Sequence, residues 1–184
     1  NKLLKKGFQT HKIDISEVFK ENDLTYDLSN TNTNIIEAEL EDKKIIIQEK
    51  GLGISTLKIK ATNQNYGQKE LQFNINVIEE GNNPPMVASE IPDTLFNIRS
   101  EKKILNIANY FSDEDNDQLH FRSLSKNQKV TAAEVNGKEL ELEFREPGYA
   151  DIIVIADDNK GGIVKDTFNV KVVSDKNDPP VIFA

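Results

Sequence analysis

The sequence predicts an all-β chain: two antiparallel β-sandwiches in tandem. Three observations carry this expectation. Short runs alternate apolar residues with others at a period of two, as in Leu57, Ile59, Ala61 and again in Ile152, Val154, Ala156. That is the pattern of a strand with one face on a core. No segment sustains a helical apolar period over about ten residues. The chain also repeats itself, because "EGNNPPM" (80–86) and "DKNDPPV" (175–181) write one phrase at positions 95 apart. Self-similarity at a fixed period marks tandem modules.

In chain order, "IDISEVF" (13–19) opens the first copy and matches "LNIANYF" (105–111) at an offset of 92. Next, "FKENDLTY" becomes "FSDEDNDQLHF", an insertion of three residues that raises the offset to 95. From there "EDKKIII" (41–47) meets "NGKELEL" (136–142), pairing Lys43 with Lys138, Ile45 with Leu140 and Ile47 with Leu142. The last two strands of each copy follow. Gly53 falls on Gly148, Ala61 on Ala156, Gly67 on Gly162, Phe73 on Phe168 and Val77 on Val172. Phe73, Ile75, Val77 alternate, as do Phe168, Val170, Val172. Gly67 and Gly161-Gly162 stand between the paired runs, where a hairpin turn belongs. Regularly spaced short strands in modules of about 90 residues favour the sandwich.

A Pro-Pro step closes each copy. Proline donates nothing to a sheet ladder and holds its neighbour extended, so the step reads as a short stiff connector. The expected modules are 1–83, a divergent copy short of its first strand, and 84–178. Residues 179–184 start a linker to a following module.

Composition narrows the function. The net charge is −8 with no block of Lys or Arg, which disfavours nucleic acid and anionic lipid. Most of the acidic surplus sits in the second copy: 11 basic and 13 acidic residues precede Pro84, and 12 and 18 follow from it. No apolar run approaches the roughly 18 residues of a membrane helix. "NKLLKK" at the start is basic but lacks the apolar core of a signal peptide, so the chain reads as an excerpt with its targeting segments elsewhere. The absence of cysteine excludes disulfides and thiolate metal sites. The only histidines are His11 and His120, the latter on the outward face of a strand in "QLHF". There is no phosphate loop, metalloprotease motif or serine elbow, and "DNKGG" is a hairpin turn with no helix behind it. The chain is not expected to be an enzyme.

"YFSDEDNDQLHF" (110–121), "VIADDNKGG" (154–162) and "DTFNVKVVSDKNDPPV" (166–181) resemble the cadherin-like superfamily, especially the dystroglycan-type cadherin-like repeats of bacterial surface and secreted proteins. The resemblance spans the second module and reaches the first through its alignment to the second. It implies two Ig/cadherin-like sandwiches in an extracellular or cell-surface bacterial protein, attached to the outer membrane, if at all, through other regions. The expected role is adhesion or spacing, with neighbouring domains of the same polypeptide as partners and protein or glycan at a cell surface beyond them.

The resemblance also implies Ca²⁺ where one module meets the next. The ligands would be Asp113, Asp115 and Asp117 in the acidic loop, Asp158 at the end of the "VxAxD" strand, and Asn82 and Asn83 before Pro84. Ca²⁺ takes six to eight hard oxygens, and like charges held close are costly without a counter-cation. Asn116 tolerates the left-handed backbone that a tight acidic loop requires. The same residues also suit a solvated turn, which Asp and Asn favour in any protein. The loop is not an EF-hand, since Gln118 and Leu124 stand where Gly and Glu belong. The first module keeps its strands with Thr62 and Asn63 in place of Asp157 and Asp158, so the acids are not needed to build the sandwich. No "LDRE"-like loop supplies glutamates from the first module, which leaves a site of fewer ligands. Asp175, Asn177 and Asp178 could serve a further junction.

The alternative is an accessory carbohydrate- or substrate-binding module of a secreted hydrolase. Sugars stack on exposed rings. There is no Trp, so the candidates are Tyr26, Tyr66, Tyr110 and Tyr149. Tyr26 reads as core, and Tyr66 and Tyr149 as turn residues. Phe8, Phe96 and Phe183 lie near module ends and suit packing there.

Overall fold

A computed structural model of the chain describes residues 1–63, 67–100 and 102–174. Tyr66, Phe183 and the second copy of the Pro-Pro phrase, with Asp175, Asn177 and Asp178, lie outside the described residues. Among the described residues every regular element is a strand except one turn of 3-10 helix, Ile107–Tyr110. The chain forms two compact units. One comprises Asn1–Pro84 with Asn159–Ile163, and the other Pro85–Asp158 with the described residues from Val164 on.

The first sandwich contains β1 (Lys2–Lys5), β2 (Thr10–Asp14), β3 (Thr25–Asn30), β4 (Ile36–Glu41), β5 (Lys44–Glu49), β6 (Gly53–Asn63) and β7 (Gly67–Ile78). Its sheets run β1-β7-β6-β3 and β2-β5-β4. The second contains β8 (Met86–Val87), β9 (Thr94–Asn97), β10 (Lys103–Asn106), β11 (Phe111–Ser112), β12 (His120–Ser125), β13 (Thr131–Asn136), β14 (Glu139–Phe144), β15 (Gly148–Asp157) and β16 (Ile163–Val173). Its sheets run β9-β16-β15-β12 and β10-β14-β13, with a small ribbon of β8 on β11. The pairing is antiparallel in both sandwiches, except that β1 runs parallel to β7 and β9 parallel to β16.

The register shows the duplication at the level of single residues. Ile13 faces Ile45, and Leu105 faces Leu140. Tyr26 faces Ala61, and Phe121 faces Ala156. Ala38 faces Ile47, and Ala133 faces Leu142. Every member of the second pair sits 92 positions on if it precedes the acidic loop and 95 on if it follows. Hydrogen bonds outside the ladders repeat in the same way. The amides of Ile15 and Ile107 donate to the carbonyls of Lys43 and Lys138, both at 2.9 Å. Those of Lys50 and Arg145 donate to Ile35 and Val130, again at 2.9 Å. A one-residue slip would turn a strand's apolar set outward, so a buried face on each strand specifies this register in both copies.

Each sandwich has its own core. Leu57, Ile59, Ala61, Ile75 and Val77 are buried in the first, and Ile152, Val154, Ala156, Val170 and Val172 in the second. At about 1.5–3 kcal/mol per fully buried large aliphatic side chain, these faces dominate the stability. The aromatic pair at the loop base is also repeated, with Phe19 5.7 Å from Tyr26 and Phe111 5.6 Å from Phe121 between ring centroids.

Candidate metal centre

The three inserted residues lengthen the connection from β11 to β12, and the acids sit there. Asp113 organises the loop. Its Oδ1 accepts the amides of Asp115 at 2.9 Å and Asp117 at 3.2 Å, and its carbonyl accepts the amide of Asn116 at 3.2 Å. Asn116 takes the left-handed backbone expected of it, with φ of 60°. Asp113 Oδ2 is buried and has no hydrogen-bond partner among the described residues. Oxygens of Asp113, Asp115 and Asp117 lie within 4.8 Å of one another, the one such His/Cys/Asp/Glu group among the described residues. Three hard carboxylates with one buried, unsatisfied oxygen fit a hard cation such as Ca²⁺.

In the first sandwich the matching loop is held by side-chain donors. There the Lys43 ammonium donates to the carbonyls of Phe19 at 2.9 Å and Glu21 at 3.2 Å. The Lys69 ammonium donates to the Val18 carbonyl at 2.8 Å. The Asn63 amide donates to the Asn22 carbonyl at 3.2 Å. By the shared register, Lys69 becomes Val164 and Asn63 becomes Asp158 in the second sandwich. Lys138, the counterpart of Lys43, is exposed. At the loop an amide donor has given way to a carboxylate, while the loop itself has gained acids.

The remaining expected ligands are placed as follows. Asp158 is buried just past the end of β15, in Asn63's position, and is not part of the three-carboxylate group. Asn82 is buried in the first unit, where its carbonyl accepts the Lys5 ammonium at 2.5 Å. Asn83 is exposed. The role of Asp113 Oδ1 as loop staple was not legible in the sequence.

His120 is exposed on β12, as its alternation implies. His11, on β2, is held below the ordinary histidine range by its burial and then by the Lys2 ammonium. Among the rings, Tyr149 is exposed but lies within β15 rather than in a turn, correcting the sequence expectation. Gly148, whose residue type reads as a turn in sequence, begins that strand instead with φ of 151°. The Lys171 ammonium sits 5.2 Å from the Tyr149 ring centroid and covers one face. Tyr26, Tyr110, Phe8 and Phe96 are half-buried, and Phe96 stacks on Phe144 at 4.4 Å. Among the described residues no helix is long and apolar enough to cross a membrane.

No protein-family model matches the sequence. No curated protein matches it either. Among solved structures, a chimeric titin Z1Z2-Z1Z2 tandem aligns over 93% of this chain and 94% of its own, with a TM-score of 0.53 at 9% identity. Drosophila N-cadherin EC1-4 aligns over 83% of this chain and 42% of its own, with a TM-score of 0.42 at 14% identity. A glycoside hydrolase family 107 endo-fucoidan hydrolase aligns over 85% of this chain at 12% identity and a TM-score of 0.38, and the chain spans 24% of its length. The titin likeness agrees with the strand topology: the fold is a tandem of Ig/cadherin-like β-sandwiches.

Proposed function

We propose that this chain is a non-catalytic stretch of a larger bacterial extracellular or cell-surface protein, serving as a spacer or adhesion segment, and that its acidic loop takes Ca²⁺. The single observation that carries the reading is the loop. It contains the three-residue insertion of the second copy, and it brings three carboxylates within 4.8 Å. Asp113, Asp115 and Asp117 would hold the ion, which would supply positive charge at a place where the first sandwich uses lysine. Asp158 stands where an amide donor serves the loop of the first copy and would add a carboxylate to the same neighbourhood. Repetition of one sandwich suits a structural role, with neighbouring domains of the polypeptide as first partners.

Melting the chain in Ca²⁺ and in EDTA tests the ion. A cation that binds only the folded state stabilises it by about 2.7 kcal/mol at a free concentration one hundred times Kd. Ca²⁺ should raise the melting temperature, and Asp117→Asn should abolish the rise. A flat response in the unaltered chain would remove the calcium reading and leave the tandem fold intact. The second reading, an accessory carbohydrate-binding module, is favoured by the exposed ring of Tyr149. Glycan-array binding that disappears in Tyr149→Ala would establish it in place of the spacer role.

A further inference from the structure

The first sandwich has an open groove of about 540 Å³ lined by the apolar Ile13, Ile15, Val18, Leu71 and Phe73. The polar Asn1, Lys2, His11, Lys12 and Asp14 line it as well. The second sandwich has the same strands around the matching place, and there its own leading segment fills it. Val87 pairs with Phe111 in the β8–β11 ribbon. The amides of Ala88 and Ser89 donate to the Tyr110 carbonyl at 2.9 and 3.3 Å. The Ile91 amide donates to the Asp166 carboxylate at 2.7 Å, and the Ile91 side chain is buried in the core. Under the offsets of 92 and 95, Tyr110 corresponds to Val18 and Asp166 to Leu71. Both counterparts line the groove.

Burial records the difference. Phe168 is 1% exposed in the second sandwich, whereas its counterpart Phe73 is only half-buried. The Val18 carbonyl accepts the Lys69 ammonium, where the Tyr110 carbonyl accepts backbone amides. Lysine substitutes for a missing strand. Leu71 replaces the carboxylate of Asp166, so at this position the groove is more apolar than the site it matches.

We propose that this groove is a docking site for an extended segment continuous with Asn1, of the chemistry that Met86–Pro92 supplies to the second sandwich. Continuity follows from the register. β9 pairs with β16 as Thr94 with Val170, and β1 pairs with β7 as Lys2 with Ile75. The filler of the second sandwich runs directly into β9 at Thr94, and the matching filler of the first would run directly into β1. The segment needs two apolar side chains spaced as Val87 and Ile91 are, with backbone amides between them free to displace Lys69 from the Val18 carbonyl.

The test is a graft on the full chain. The sequence of residues 84–92, "PPMVASEIP", is placed immediately before Asn1. The control graft carries serine in place of its valine and its isoleucine. The graft should raise the melting temperature of the first sandwich by about 5 °C, the shift that roughly 1 kcal/mol produces in a domain of this size. It should also move the NMR signals of Val18, Leu71 and Phe73. The control should leave both as in the ungrafted chain. Equal behaviour of the two grafts would overturn the proposal. Saturable binding of the free nonapeptide, with the same signals moving and no added effect from the graft, would overturn the assignment to a contiguous segment.

Discussion

Tyr26 and Thr131 each bury a hydroxyl that has no hydrogen-bond partner among the described residues, and in each case the other copy places an apolar side chain at the matching position, Phe121 and Ile36. Burial raises the Tyr26 phenol above its ordinary range, with the Glu21 charge adding to it. A buried polar group without a partner costs about 1–3 kcal/mol, and removing it while keeping the shape recovers much of that. Thr131→Val is therefore expected to stabilise the chain by about 1 kcal/mol in denaturant unfolding, and Tyr26→Phe to act in the same direction. Gly148 points the opposite way. Its φ is 151°, and an added Cβ would lie 2.8 Å from Val130 Cγ2. Gly148→Ala should cost more than about 1 kcal/mol by the same measurement.

The long strands β6, β7, β15 and β16 were legible because one face of each is buried. Leu57, Ile59, Ala61 and their counterparts announce themselves by alternation, and the offset change from 92 to 95 located the acidic loop between β11 and β12. The left-handed residue Asn116 was legible for a local reason, its short amide side chain. The short edge strands were not. β1, β8 and β9 span two to four residues, too few for a period, and their places are set by distant partners such as Ile78, whose carbonyl accepts the Lys6 amide at 2.7 Å. At this scale Ile91→Ala is expected to cost about 2–4 kcal/mol in the second sandwich, read by the unfolding midpoint, because it removes the side chain that closes the core.

The whole molecule is two copies of one sandwich, each with its own core, and acid should weaken it in stages. His11 is held below its ordinary range by burial and by Lys2, Asp14 by hydrogen bonds from Ser16, and Glu143 by its hydrogen bond from Arg145 and that residue's charge. In all three the folded chain binds a proton less readily than the unfolded chain. Stability is therefore full above the unfolded pKa and falls as pH drops through the folded one. The loss should begin below about pH 6.5 through His11 and continue below about pH 4.5 through the carboxylates. Melting temperatures at pH 7.5 and 5.5 should differ in the unaltered chain, and the difference should shrink in His11→Gln.

The duplication itself is tested most directly by cross-strand NMR contacts between backbone protons. The account predicts paired sets: Ile13 with Ile45 and Leu105 with Leu140, Tyr26 with Ala61 and Phe121 with Ala156, Ala38 with Ile47 and Ala133 with Leu142. Any second-copy pair shifted by a residue or more from its first-copy counterpart, or strands of one copy laddered with those of the other, would contradict it.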